Sequence, residues 1–237
     1  MKNKIKIGII GGIGPQATAH LYKRIISLAK SEYFAKHNSD FPELIIYSIP
    51  VPDFISNQNN IQRAFNMFRG VISDFEQINI THIAIASNTV HLLLDDFKQI
   101  STATFLSMIN AVVDEVVVSH LDQVGLLAST TTIKTHLYHN SLKEFGVNIV
   151  LPSSKDQIKV DQLIKLVIAG QDLNPLRSSM LDIINNLETD KIILGCTELP
   201  IALKRLGFSM DKFILSTDIL AKKIVEVYYN DEREDRI

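Results

Sequence analysis

One cysteine, Cys196, stands in the segment Gly195-Cys196-Thr197-Glu198-Leu199-Pro200. A thiolate serves as nucleophile or base near neutral pH, because a free thiol titrates at about 8.5. The apolar run Lys191-Ile192-Ile193-Leu194 reads as a buried strand, and Leu199-Pro200-Ile201-Ala202-Leu203 as a helix with Pro in its first turn. The spacing predicts a thiol at a strand-to-helix turn, where free N–H groups and the helix dipole favour the thiolate. The alternative is an inert packing residue, since free Cys is among the most buried residue types.

A second segment shares this plan. Thr81-His82-Ile83-Ala84-Ile85-Ala86 is a short apolar strand that runs into Ser87-Asn88-Thr89-Val90-His91. In both segments an apolar strand leads to small polar residues and then to a helix. Lys6-Ile7-Gly8-Ile9-Ile10-Gly11-Gly12 is likewise echoed by Gln123-Val124-Gly125-Leu126-Leu127-Ala128-Ser129-Thr130. Two similar α/β half-chains are expected, with their strand-end loops face to face across a cleft.

The elements that position these residues alternate along the chain. Strands are expected at 4–10, 44–47, 81–86, 105–106, 123–127, 147–150 and 191–194. Helices are expected from 15 to the mid-thirties and at 60–78, 109–119, 132–145, 158–168, 175–187, 199–206 and 217–229. Ala64, Phe65, Phe68, Val71, Ile72 and Phe75 share one face of the second helix. Strands and helices alternating at this spacing imply parallel sheets with right-handed crossovers. The domain expectation is 1–115 plus 209–237 for the unit with Ser87, and 116–208 for the unit with Cys196.

Composition narrows the function class. The 237 residues are 46% apolar and 21% charged, as in an ordinary globular chain. The net charge of −2 favours neither nucleic acid nor a membrane surface as partner. No run approaches the roughly 20 apolar residues of a membrane span. One cysteine cannot form an intrachain disulfide, and a reducing, cytoplasmic location is expected. Lys6 and the glycines Gly8, Gly11, Gly12 and Gly14 interrupt the N-terminal apolar stretch, which reads as strand, loop and helix rather than signal peptide. Those glycines lack the G-x-G-x-x-G spacing of a dinucleotide site, and suit approach of a small anion to a helix N-terminus.

Four segments, Gly11-Gly12-Ile13-Gly14-Pro15, Ser87-Asn88-Thr89-Val90-His91, Leu126-Leu127-Ala128-Ser129-Thr130 and Gly195-Cys196-Thr197-Glu198, together resemble the aspartate/glutamate racemase family. The resemblance runs along nearly the whole chain in the right order. It implies two pseudo-symmetric α/β domains, each a mainly parallel sheet flanked by helices, with the active site in the interdomain cleft. It also implies a homodimer, an acidic amino-acid substrate and catalysis without a cofactor or metal. In that family two cysteines flank the substrate Cα, one removing the proton and the other returning one to the opposite face.

Carried over by position, Cys196 occupies the second catalytic place. Asn88 and Thr89 match an Asn-Thr pair that holds substrate carboxylate. Gln58 falls where some members bind substrate, Ile13 lines an apolar wall, and Ser129, Thr130, Thr197 and Glu198 belong to the lining. Lys159 resembles a lysine that pairs with a substrate carboxylate, with Lys165 as rival. The first catalytic place is Ser87, where the family has Cys or in some members Thr. A Ser hydroxyl stays protonated without a strong base, so two-sided proton transfer is expected to be impaired. His91 reads equally as a helix-core residue. A decarboxylase-like chain that uses Cys196 alone to protonate a carbanion, or a non-catalytic binder of a dicarboxylate, are the alternatives.

Overall fold

The computed structural model describes residues 5–52 and 60–234. The chain divides into two compact units, Met1–Met108 with Thr217–Ile237, and Ile109–Ser216. In the first, strands β1 (Ile7–Gly11), β2 (Leu44–Ser48), β3 (His82–Ile85) and β4 (Thr104–Leu106) form one sheet. Its order is β2-β1-β3-β4, and every neighbouring pair is parallel. In the second, β5 (Gln123–Leu127), β6 (Asn148–Val150), β7 (Ile192–Leu194) and β8 (Phe213–Leu215) repeat the plan as β6-β5-β7-β8, again all parallel. Each unit is an α/β sheet, and the two share one strand order.

The pleat explains the cores of the first unit. Side chains alternate across a strand, so Ile7 and Ile9 pack with α1 (Pro15–Tyr33) and α10 (Ser216–Glu234) through Leu21, Ile25, Leu220 and Ile224. Ile10, Ile83 and Ile85 face the other way. They meet Phe68, Val71, Ile72 and Phe75 of α2 (Ile61–Gln77) and Phe97 of α3 (Leu94–Gln99). The apolar face expected for α2 is the buried one, with Phe65 only partly covered.

In the second unit α4 (Met108–Val118) leads into β5, followed by α5 (Thr130–Lys134) and α6 (His139–Glu144). Three further helices, α7 (Ser154–Ile168), α8 (Arg177–Asn186) and α9 (Leu199–Arg205), cover Leu127, Ile192 and Leu194 with Val160, Leu163, Met180 and Leu203.

Three expectations change. The helix expected over 132–145 is two short ones, because His136 takes a left-handed backbone (φ 54°) between them. β8 was not foreseen: its three residues, Phe213-Ile214-Leu215, are too few for a periodic signal, yet all are buried. Because Ile192, Ile193 and Leu194 pair with Phe213, Ile214 and Leu215, residues 209–216 belong with the second unit. The boundaries therefore fall at 108/109 and 216/217 rather than at 115/116 and 208/209.

Candidate active site

In an open parallel sheet, ligands gather beyond the strand C-termini where the strand order reverses. In the first unit that point lies between β1 and β3. β1 ends in Gly11-Gly12-Ile13-Gly14, and β3 runs into Ser87-Asn88-Thr89. In the second it lies between β5 and β7, whose ends carry Ser129-Thr130 and Cys196-Thr197-Glu198. Of the sequence-predicted residues, Ile13, Ser87, Asn88 and Thr89 therefore stand at this point of the first unit, and Ser129, Thr130, Cys196, Thr197 and Glu198 at the corresponding point of the second.

In the first unit the glycine loop is tight. Gly12 has φ 89°, and a Cβ there would meet the Ile49 backbone at 2.5 Å, so a side chain cannot be accommodated. The Gly12 N–H donates to Thr18 Oγ1 at 2.9 Å instead of pointing to an open anion site. Ile13 is partly buried against the α2 side of the sheet. Ser87, Asn88 and Thr89 are all buried, Ser87 with 5% of its surface exposed. The short 3-10 turn Thr89–Leu93 follows directly. Gln58, with Asp53 and Phe54, lies outside the described residues.

In the second unit a carboxylate organises the cysteine loop. Glu198 is buried, and its Oε2 accepts from Cys196 Sγ–H at 3.1 Å and from Thr197 Oγ1–H at 3.0 Å. Burial pushes the Cys196 thiol well above its ordinary value, and the Glu198 charge pushes it further, with Asp161 adding to the effect. This reverses the expected thiolate. α9 is only seven residues long, and its weak positive end is outweighed by desolvation and an adjacent anion. The thiol is partly buried and is placed as the donor to that carboxylate.

Around it, Ser129 caps α5, accepting from the Thr132 N–H. Thr130 gives its N–H (2.9 Å) and its hydroxyl (2.5 Å) to the Asp161 carboxylate. Gln157 Nε2 donates to the Ala128 carbonyl (2.9 Å) and to Asp161 (3.1 Å). Gln157 and Asp161 lie four apart on one face of α7. Lys159 falls between them in sequence and off that face, pairing with Asp156 at 3.3 Å and one-third exposed. Lys165 is exposed in the last turn.

Two residues of this region escaped the sequence reading. Asp161 lies two residues beyond Lys159, and its i,i+4 relation to Gln157 was the available signal. Tyr138 is fully buried, and its ring lies where a Gly195 Cβ would meet it at 3.0 Å. Burial pushes its phenol up, its hydroxyl bonds Ser216, and Cys196 is close enough to add to the effect. Nothing in the local pattern marked it.

A model of the Asp/Glu/hydantoin racemase family matches residues 10–224. The chain belongs to that family. A broad specificity amino-acid racemase, RacX, from Bacillus subtilis is 24% identical over 228 residues, covering 94% of this chain and 97% of that one. The solved aspartate racemase of Picrophilus torridus is 27% identical with a TM-score of 0.81, covering 94% of each chain. An aspartate racemase homologue from Pyrococcus horikoshii is 29% identical with a TM-score of 0.77, covering 94% of this chain and 99% of that one. Glutamate racemase from Campylobacter jejuni, at 23% identity and a TM-score of 0.67, is similar in fold. Among the described residues of this racemase-family chain, no helix is long and apolar enough to cross a membrane.

Proposed function

We propose that this protein racemises an amino acid at Cα, with Cys196 working one face and Ser87 the other. The observation that carries the reading is the hydrogen bond from the Cys196 thiol to the buried Glu198 carboxylate. That bond gives the thiol proton somewhere to go. Glu198 takes the proton from Sγ, and the thiolate so formed removes the α-proton of one enantiomer. The carbanion is then protonated on its other face by the Ser87 hydroxyl, directly or through water; water reprotonates the Ser87 alkoxide, and the hydroxide so left takes the proton held by Glu198, which returns both groups to their starting forms. Ser87 is a poor base, so the path starting from its own face is the slow one.

Acidic amino acids are the finer part of this proposal. The similar aspartate racemase of Picrophilus torridus supports it. So do Asn88 and Thr89 in the family's carboxylate-binding place, and Asp161 and Glu198 suit the α-ammonium. A second carboxylate needs a cation, and Lys159 supplies it by exchanging Asp156 for substrate. A homodimer in a reducing cytoplasm completes the reading, and light scattering tests the dimer.

A second reading has its own support. A thiol placed as donor to a carboxylate is a proton source, as required of a chain that protonates a carbanion left by decarboxylation. Two incubations separate these readings, one with the L and D forms of aspartate and glutamate in deuterium oxide and one with a substituted malonate. NMR then follows loss of the α-proton, and chiral chromatography follows inversion. Exchange with inversion supports the racemase. Release of carbon dioxide from a substituted malonate, without α-exchange of any amino acid, supports the proton donor. Silence in all assays leaves a binder and overturns the proposal.

A further inference from the structure

His91 takes no part in the proton transfers above, yet its ring is buried beside Ser87 with both nitrogens in use. It is 7% exposed, and both ring nitrogens are bonded. Nδ1–H donates to the Ser87 carbonyl at 2.8 Å, and Nε2 accepts the Met108 N–H at 3.0 Å. A backbone N–H can only donate, so Nε2 carries no proton and the ring is the neutral Nδ1–H form. The His91 N–H also bonds the Asn88 carbonyl at 3.0 Å. Main chain and side chain of one residue thus hold Ser87 and Asn88, in the loop that follows β3.

The other end of the brace is equally specific. Met108 opens α4, and the first N–H groups of a helix have no partner within it. Met108 is also the last residue of the first unit before the chain passes into the second. A histidine buried only for packing would need its nitrogens satisfied, but not by the carbonyl of the residue assigned to proton return.

We propose that His91 is a positioning residue for Ser87: by bracing the Ser87 carbonyl against Met108 it fixes the direction of the Ser87 hydroxyl in the loop after β3. The proposal rests on the reading that Ser87 serves one face of Cα. It predicts that loss of the brace separates two events that otherwise run together. Exchange of the α-proton needs only Cys196, whereas inversion also needs a correctly aimed Ser87.

Three variants of the full chain test it. His91→Asn keeps a donor in the place of Nδ1, His91→Gln keeps an acceptor in the place of Nε2, and His91→Leu keeps neither. The expected result is a fall in the ratio of inversion to exchange of roughly 10- to 100-fold in His91→Leu and His91→Gln, the scale of a misplaced reacting group. In His91→Asn the ratio is largely restored. Equal loss of exchange and inversion in all three, or no advantage of Asn over Leu, overturns the proposal. A second measurement is independent of turnover: backbone amide hydrogen exchange at Asn88 and Thr89, with imidazole nitrogen NMR of the unmodified protein. Faster amide exchange in His91→Leu and His91→Gln but not in His91→Asn, with an Nδ1–H ring at neutral pH, supports the brace. An Nε2–H ring, or unchanged amide exchange in every variant, refutes it even if no amino acid is turned over. The racemase reading fails separately, through silence of the unmodified protein in the exchange and inversion assays.

Discussion

Cys196 Sγ stands 3.1 Å from Glu198 Oε2, so the thiol is held as an acid next to the group that can relieve it of its proton. Like charges this close cannot both be present cheaply, and the pair shares one proton rather than holding a thiolate beside a carboxylate.

Replacing Glu198 by Gln tests that pair. The amide removes the negative charge and the proton acceptor together, so the two effects have opposite signs. Alkylation of Cys196 by iodoacetamide should begin at lower pH, because the thiol returns toward its ordinary value. α-Proton exchange should nonetheless fall by roughly 10²- to 10⁴-fold, the usual worth of a general base. The raised thiol also predicts a trend in stability. The folded thiol holds its proton more tightly than the unfolded one, so its contribution is complete below the ordinary thiol range and is lost as pH rises beyond it. Urea titrations above pH 9 should show a shallower loss for Glu198→Gln.

Ser87→Cys supplies the thiol missing from the first unit. Inversion should rise, and exchange should become comparable for both enantiomers. Cys196→Ser should abolish exchange, and Ser87→Ala should keep exchange while losing inversion. If Ser87→Cys changes no rate and Cys196→Ser is harmless, both side chains are spectators.

The buried His91 ring predicts acid sensitivity. Burial lowers its pKa from 6.5 to about 4. The unfolded chain therefore binds a proton in that interval while the folded chain does not. Stability is fully present above pH 6.5 and is lost as pH falls toward 4, by up to about 3 kcal/mol for a shift of this size. Denaturation curves between these values should show a weaker pH dependence in His91→Asn.

Substrate charge is tested at Lys159. The Lys159–Asp156 pair is partly exposed and worth little to stability. Lys159→Ala should leave the melting temperature nearly unchanged while raising KM for aspartate and glutamate and sparing alanine. Asp156→Ala frees the lysine and should lower KM for the acidic substrates. Identical KM values across the three proteins would remove Lys159 from the site.

Much of this was legible along the chain because it is local. Apolar runs ending in Gly11-Gly12, Ser87-Asn88, Ser129-Thr130 and Gly195-Cys196 are strands that stop at small polar residues, and short-range physics decides that much. The repeat of those endings announced two α/β units of one plan, and the order of the motifs announced the family. The tertiary structure decided what depends on approach from far away. Thr130 meets an Asp161 carboxylate 31 residues distant, and Tyr138 packs where Gly195 leaves room. β8 exists because three apolar residues find an edge of β7 to pair with. Protonation of Cys196 is the clearest case. A helix N-terminus written in sequence argues for the thiolate, but burial and the orientation of Glu198 exist only in the folded chain, and at 3.1 Å they outweigh a seven-residue helix.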